Sequence, residues 1–334
     1  MKLTFPPNIR TFSQRMAGAI GTLLLITHLS GCASSYDSGL VNRNGYSIWI
    51  SNEMWRYITS PDFVKTCWGT NNPGYYCKGI MINGNEDGVN WTQPYDPAKD
   101  NKLSFSYWAY PILKSNRVRG SYRSVGIALW PAGELRTDGS AYEENFTCGF
   151  PHDGGTINNL GESQCGAYHK PRCQDIGIFT ADEFIADNWK SHCGFALNNP
   201  EYDTLSAFTA IMEVEKKHID TQGQPSNYDE FLLKPWTGTD LSKIPLMAFF
   251  VNWVTLHDDH DHFLPKIDDA RKLQLDFYNK SKIFAPIVVI TGDDWAHPTF
   301  SGDPEYQSPE IPLNVQVFAG TKNDYSTSAF SKHK

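Results

Sequence analysis

The chain has 334 residues, 40% hydrophobic and 20% charged, with a formal net charge of −8. That composition is globular, and the length suffices for one large domain or two closely packed ones. The acidic balance excludes a nucleic-acid binder held mainly by phosphate contacts, and it bears on solubility rather than fold.

The first 31 residues have the order of a secretory signal. Lys2, Arg10 and Arg15 form a positive n-region, and residues 16–26 are an uncharged apolar run. Thr27 and His28 interrupt that run early, whereas a spanning helix needs roughly 20 apolar residues. Leu29-Ser30-Gly31-Cys32 then matches a lipobox, so cleavage before Cys32 and lipidation of its thiol are expected. Ala33 stands where retained lipoproteins carry aspartate, and by resemblance to known lipoproteins this favours the outer membrane. The membrane partnership would run through this lipid, since several acyl chains anchor stably where one binds marginally. Removing residues 1–31 takes away three positive charges and no acid, leaving 303 residues and a formal charge of −11.

Six cysteines remain after Cys32: Cys67, Cys77, Cys148, Cys165, Cys173 and Cys193. An even number in an exported chain points to disulfides. No CxxC pair occurs, and spacings of 10, 71, 17, 8 and 20 fit no zinc ribbon. Proximity favours Cys67 with Cys77, the other four pairing among themselves.

In chain order, residues 33–45 are a polar tether that completes a lipidated segment 32–45. Residues 46–50, 78–82, 103–107 and 125–130 are short runs rich in β-branched or aromatic types between turn residues, and predict strands. Thr180 and Glu183 form a capping box at a helix start. Residues 206–218 and 268–279 carry apolar positions at helical spacing. The apolar runs 245–254 and 283–290 predict buried strands, and residues 298–334 predict a loosely held polar tail. The expectation is an α+β fold over 46–297. Its N-terminal half would be loop-rich, disulfide-braced and mostly β, its C-terminal half a mix of helices and buried strands.

Several segments, in order, carry a resemblance. They are Cys77-Lys-Gly-Ile, Leu103-Ser-Phe-Ser-Tyr, Cys148-Gly-Phe-Pro-His-Asp153, Gln164-Cys-Gly, Arg172-Cys-Gln, Ile178-Phe-Thr-Ala and Cys193-Gly-Phe. Asp229-Glu-Phe-Leu-Leu-Lys-Pro-Trp236, Ile244-Pro-Leu-Met-Ala-Phe-Phe250, Gln274-Leu-Asp-Phe-Tyr278 and Ala285-Pro-Ile follow. Over residues 67–290 the chain thereby resembles the halovibrin-like secreted proteins of Gram-negative bacteria. That resemblance implies cleavage of the nicotinamide–ribose bond of NAD⁺, as NAD glycohydrolase or ADP-ribosyltransferase chemistry. NAD⁺ would be the substrate, with no cofactor.

Such cleavage passes through an oxocarbenium-like state related to that of glycoside hydrolysis. It calls for a carboxylate near the ribose, an aromatic wall and donors for the diphosphate. Glu230, at the mouth of an apolar run with Trp236 behind it, is the preferred carboxylate. Gln274 and Tyr278, at i and i+4 on a helix, would line the cleft. Asp153, after Phe150-Pro151, has the same standing as that pair, while Arg172 would meet a phosphate or merely a neighbouring carboxylate. The order arginine, Ser-x-Ser, Glu-x-Glu known from ADP-ribosyltransferases is met by Arg56, Ser104 with Ser106, and Glu213 with Glu215. Glu213 and Glu215 sit in a helix-like segment, however, where i and i+2 do not share a face.

Two rival readings stand beside this one. His257-Asp-Asp-His-Asp-His262 offers hard-metal ligands for a metal-dependent hydrolase, although adjacent residues on one loop rarely close a site unaided. Alternatively the domain is a non-catalytic binder, since 13% aromatic content with ten tryptophans suits contact surfaces. No phosphate loop, dinucleotide turn or GxSxG elbow occurs.

Overall fold

The computed structural model describes residues 40–59, 79–84, 103–108, 124–130, 142–143, 145–152, 165, 171–187, 192–197, 199, 201–222, 229–236, 240–253, 263–292 and 298–317. The chain divides into Met1–Ser38 and Gly39–Lys334, and the described residues belong to the second unit. Its fold is α+β, with a nine-stranded sheet and a two-stranded ribbon. No helix among the described residues is long and apolar enough to cross a membrane.

The ribbon pairs β1 (Leu40–Asn42) with β11 (Asn314–Gln316). Helix α1 (Arg43–Thr59) follows β1 at once. The residues expected as a strand at 46–50 are therefore helical, and residues 40–45, expected to belong to a tether, form β1 and the start of α1. Five residues, Tyr46-Ser-Ile-Trp-Ile, cannot distinguish the two periods. The helical period emerges only when Tyr46, Ile50, Met54, Tyr57 and Ile58, all buried, are read together.

The large sheet contains β2 (Ile80–Gly84), β3 (Leu103–Trp108), β4 (Val125–Leu129), β5 (Phe146–Phe150), β6 (Phe195–Ala196), β7 (Glu230–Leu233), β8 (Leu246–Asn252), β9 (Ile287–Thr291) and β10 (Thr299–Ser301). Its order is β10-β9-β8-β4-β2-β3-β7-β5-β6. Among the strands described, only β8 and β9 pair in parallel, joined by helix α4 (Phe263–Ser281); a parallel pair needs such a crossover. β4 and β8 are buried along their whole length, as strands covered on both faces must be. Phe249 of β8 meets Phe277 of α4, while Trp130, just after β4, meets Trp49 and Tyr57 of α1.

Helix α2 (Ala181–Ala186) begins at the expected capping box, with both reciprocal bonds between Thr180 and Glu183 made. Those bonds hold the Glu183 carboxyl below its ordinary range, the backbone N–H of Phe179 contributing most. Helix α3 (Thr204–Gln222) packs on β5, β7 and β3 through Phe208, whose ring lies 5.0 Å from Phe231 and 5.6 Å from Tyr107. A Cβ added at Gly149 would sit 2.4 Å from Ile211 Cδ1, so α3 packs closely over β5 at this glycine.

Two disulfides join Cys148 to Cys165 and Cys173 to Cys193. Cys32, Cys67 and Cys77 lie outside the described residues.

The stretch 298–317 corrects the expected tail. It supplies β10, β11 and a 3₁₀ turn at Pro304–Tyr306, and it buries Gln307, Ser308, Ile311 and Val315. The Arg43 guanidinium donates to the carbonyls of Ser308 and Ile311, which ties this stretch to the start of α1.

Candidate functional site

Alternation along a strand divides the β3-β7-β5 region into two faces. Phe105 opposes Phe231, and both belong with Tyr107 and Gly149 on the side covered by α3. The register shift between Phe146 and Cys148 returns Phe146 to that side, where its ring meets Phe208. The other face carries Ser104, Ser106, Glu230, Leu232, Cys148 and Phe150. Cys148, Phe150, Cys165 and Leu232 form a separate small apolar cluster there.

Beside that cluster lies a polar group. Ser104 Oγ donates to Glu230 Oε1 at 2.7 Å. Ser106 Oγ and the Tyr107 backbone N–H donate to Asp229 Oδ1 at 3.0 and 2.8 Å. Both carboxyls are almost fully buried, while Ser104 is only partly so. Removal from water pushes the Asp229 carboxyl up to about 7, and the adjacent Glu230 adds to the rise. The bonds from Tyr107 and Ser106 oppose it without cancelling it. Asp229 Oδ2 is buried and has no hydrogen-bond partner. Two carboxyls side by side, one poised to gain or lose a proton near neutrality, are equipped for acid–base work.

Of the expected site residues, the fold brings Ser104, Ser106 and Glu230 together. Asp229 was not singled out from the sequence, although it is the residue next to Glu230. Its significance depends on Ser106 and Tyr107, which lie more than 120 residues away in the chain.

The other expected residues go elsewhere. Gln274 is a core residue whose amide donates to Ala285 O and Gln307 Oε1, both at 2.9 Å, and accepts from Ser308 N at 2.8 Å. It therefore lines no cleft. Tyr278, on the same helix, packs partly against the core with Lys282 Nζ 5.8 Å from its ring centre. Helix α4 lies over β4, β8 and β9, three strand spacings or more from β7, or on the order of 14 Å. Neither residue shares a pocket with Glu230.

Trp236 is buried, and its Nε1 donates to Glu143 O at 2.7 Å, so its ring is a core element rather than an open wall. Arg172 Nε holds Asp175 Oδ2 at 2.7 Å, and Tyr202 OH holds the other oxygen of that carboxylate at 2.7 Å. The arginine thus meets a neighbouring carboxylate; its bond to Asp175 raises its pKa further. Arg56 is paired with Glu53 on α1. Glu213 and Glu215 belong to α3, which covers the face of the sheet opposite the serines, so the Arg56–serine–glutamate grouping does not assemble. Asp153 and the run 257–262 lie outside the described residues. Among the described residues, no group of three or more His, Cys, Asp or Glu side chains is placed to hold a metal ion.

No protein-family model matches the chain, and no curated protein matches it.

Proposed function

We propose that this chain is an exported lipoprotein that cleaves the nicotinamide–ribose bond of NAD⁺ at the Asp229–Glu230 pair. The observation that carries the reading is Glu230, buried, held by Ser104 and adjacent to a carboxyl pushed to about 7. The resemblance to halovibrin-like proteins favours the same chemistry.

In this mechanism the C1′–N bond breaks with its electron pair passing to the pyridinium, and nicotinamide leaves neutral. Positive charge then develops on the ribose ring, where the Glu230 carboxylate stabilises it. Ser104 fixes which Glu230 oxygen points at the sugar. Ionised Asp229 accepts the proton of the water that attacks C1′, so NAD⁺ and water yield ADP-ribose, nicotinamide and a proton. A protein side chain replacing that water would make the reaction a transfer. Ser104 is the partly exposed member of the group.

The test is release of nicotinamide from NAD⁺ by the oxidised mature domain, with ADP-ribose as the co-product. Activity abolished by chelator, and lost when His257, His260 and His262 are replaced together, would point instead to the metal-dependent reading. Absence of any release would favour the binding reading, to which the exposed Ile176, Phe179 and Ile185 lend support.

A further inference from the structure

Seven large hydrophobic side chains stand exposed among the described residues, and four belong to the elements where the chain enters the domain. They are Leu40 (53% exposed), Ile48 (50%), Trp55 (44%) and Leu313 (55%). Leu40 opens β1, and Leu313 immediately precedes β11, its partner strand. The Leu313 carbonyl accepts the Arg43 N–H at 2.8 Å, so it lies at the base of α1. Ile48 and Trp55 are seven residues apart on α1 and share one side of the helix with exposed Asn52 between them. Tyr46, Ile50, Met54 and Tyr57 fill the inward side. The charge nearest this stripe is compensated, because Arg56 is paired with Glu53.

We infer that the side of the domain bearing Leu40 and the Ile48–Trp55 stripe of α1 rests on the bilayer that holds the N-terminal lipid. The inference deepens the lipoprotein reading and rests on it. From Cys32 to Leu40 the chain advances eight residues, and fully extended it reaches at most about 28 Å. A unit of 296 residues has a radius of gyration of about 19 Å and spans roughly 50 Å. A tether shorter than the domain is wide brings the side bearing Leu40 to the membrane. Aliphatic side chains with one tryptophan and little net charge suit the boundary between headgroups and acyl chains. The bilayer surface met is zwitterionic, because the acidic mature chain is repelled by an anionic one.

The test uses the full lipidated chain in vesicles of phosphatidylethanolamine and phosphatidylcholine. Single cysteines are introduced by Ile48→Cys, Trp55→Cys or, as a control, Lys272→Cys, whose side chain is 76% exposed on α4. Each is labelled with an environment-sensitive fluorophore, and acylation of Cys32 is checked by mass spectrometry. Emission shifted to the blue at 48 and 55 but not at 272, in an acylated protein, is the expected result. Aqueous emission at all three sites with Cys32 acylated overturns the inference and leaves the lipoprotein reading intact. An unacylated Cys32 overturns that reading and the inference with it. Blue-shifted emission at 48 and 55 without vesicles, rising with protein concentration, assigns the surface to a second copy and also overturns it.

Discussion

Ser104 and Glu230 stand 126 positions apart in the chain, and the antiparallel pairing of β3 with β7 brings the hydroxyl to 2.7 Å from the carboxylate. A hydrogen bond to a charged group contributes about 1.5–3 kcal/mol. Ser104→Ala is therefore expected to lower kcat for nicotinamide release by about 10- to 100-fold with KM changed much less. Ser104→Thr should retain most of the rate. Steady-state kinetics on the three proteins decide; a Ser104→Ala enzyme as fast as wild type would remove the serine from the mechanism.

Asp229 gives the fold a pH dependence of known sign. Its folded-state pKa of about 7 lies above the ordinary 3.8. The folded protein thus binds the proton more tightly, and the stability this contributes is complete below pH 4 and lost as pH rises through 7. The full difference is on the order of 4 kcal/mol. Asp229→Asn keeps an acceptor for Ser106 and Tyr107 but cannot ionise. Its denaturant midpoint should match wild type near pH 3 and exceed it at pH 8.5. Parallel curves across that range would contradict the raised pKa.

The two disulfides should be separable by function. Each closes a loop of about 20 residues, contributing about 3 kcal/mol by restricting the unfolded chain. Cys148 opposes Leu232 and Phe150 opposes Glu230, so the Cys148–Cys165 bridge braces the strand beside the carboxylates. Replacing both members of either pair with serine should lower Tm. Only the Cys148/Cys165 replacement should also slow nicotinamide release by molecules that remain folded, measured below the transition.

Gln274→Leu separates a structural role from a catalytic one. The substitution deprives Ala285 O and Ser308 N of their buried partner and leaves Gln307 Oε1 with one donor fewer. The expected loss is about 2–4 kcal/mol of stability, with kcat per folded molecule unchanged. Urea unfolding and kinetics at low temperature check both halves, and a large fall in kcat alone would restore Gln274 to the site.

Local signals in the sequence were good guides where they were complete in themselves. The Thr180–Glu183 box predicts the start of α2 because both partners lie within four residues. The run 245–254 predicts β8 because a strand covered on both faces needs an apolar residue at nearly every position. Ser104 and Ser106 could be placed on one face from period two alone. What failed depended on distant partners. Gln274 resembles a cleft residue until Gln307, 33 positions away, is seen to saturate it. Trp236 resembles a stacking wall until Glu143, 93 positions back, takes its N–H. The stretch 298–317 is polar, yet Gln307 there hydrogen-bonds to both Ile287 N and Ile287 O, a form of burial that hydropathy does not record.

The central claim concerns one carboxylate, and Glu230→Gln tests it most directly because the amide keeps the size of the side chain and a hydrogen-bonding oxygen for Ser104. Nicotinamide release from NAD⁺ by the oxidised mature domain should fall by about 100-fold or more in Glu230→Gln, with the circular dichroism spectrum and Tm retained. Equal release by the two folded proteins would contradict the account.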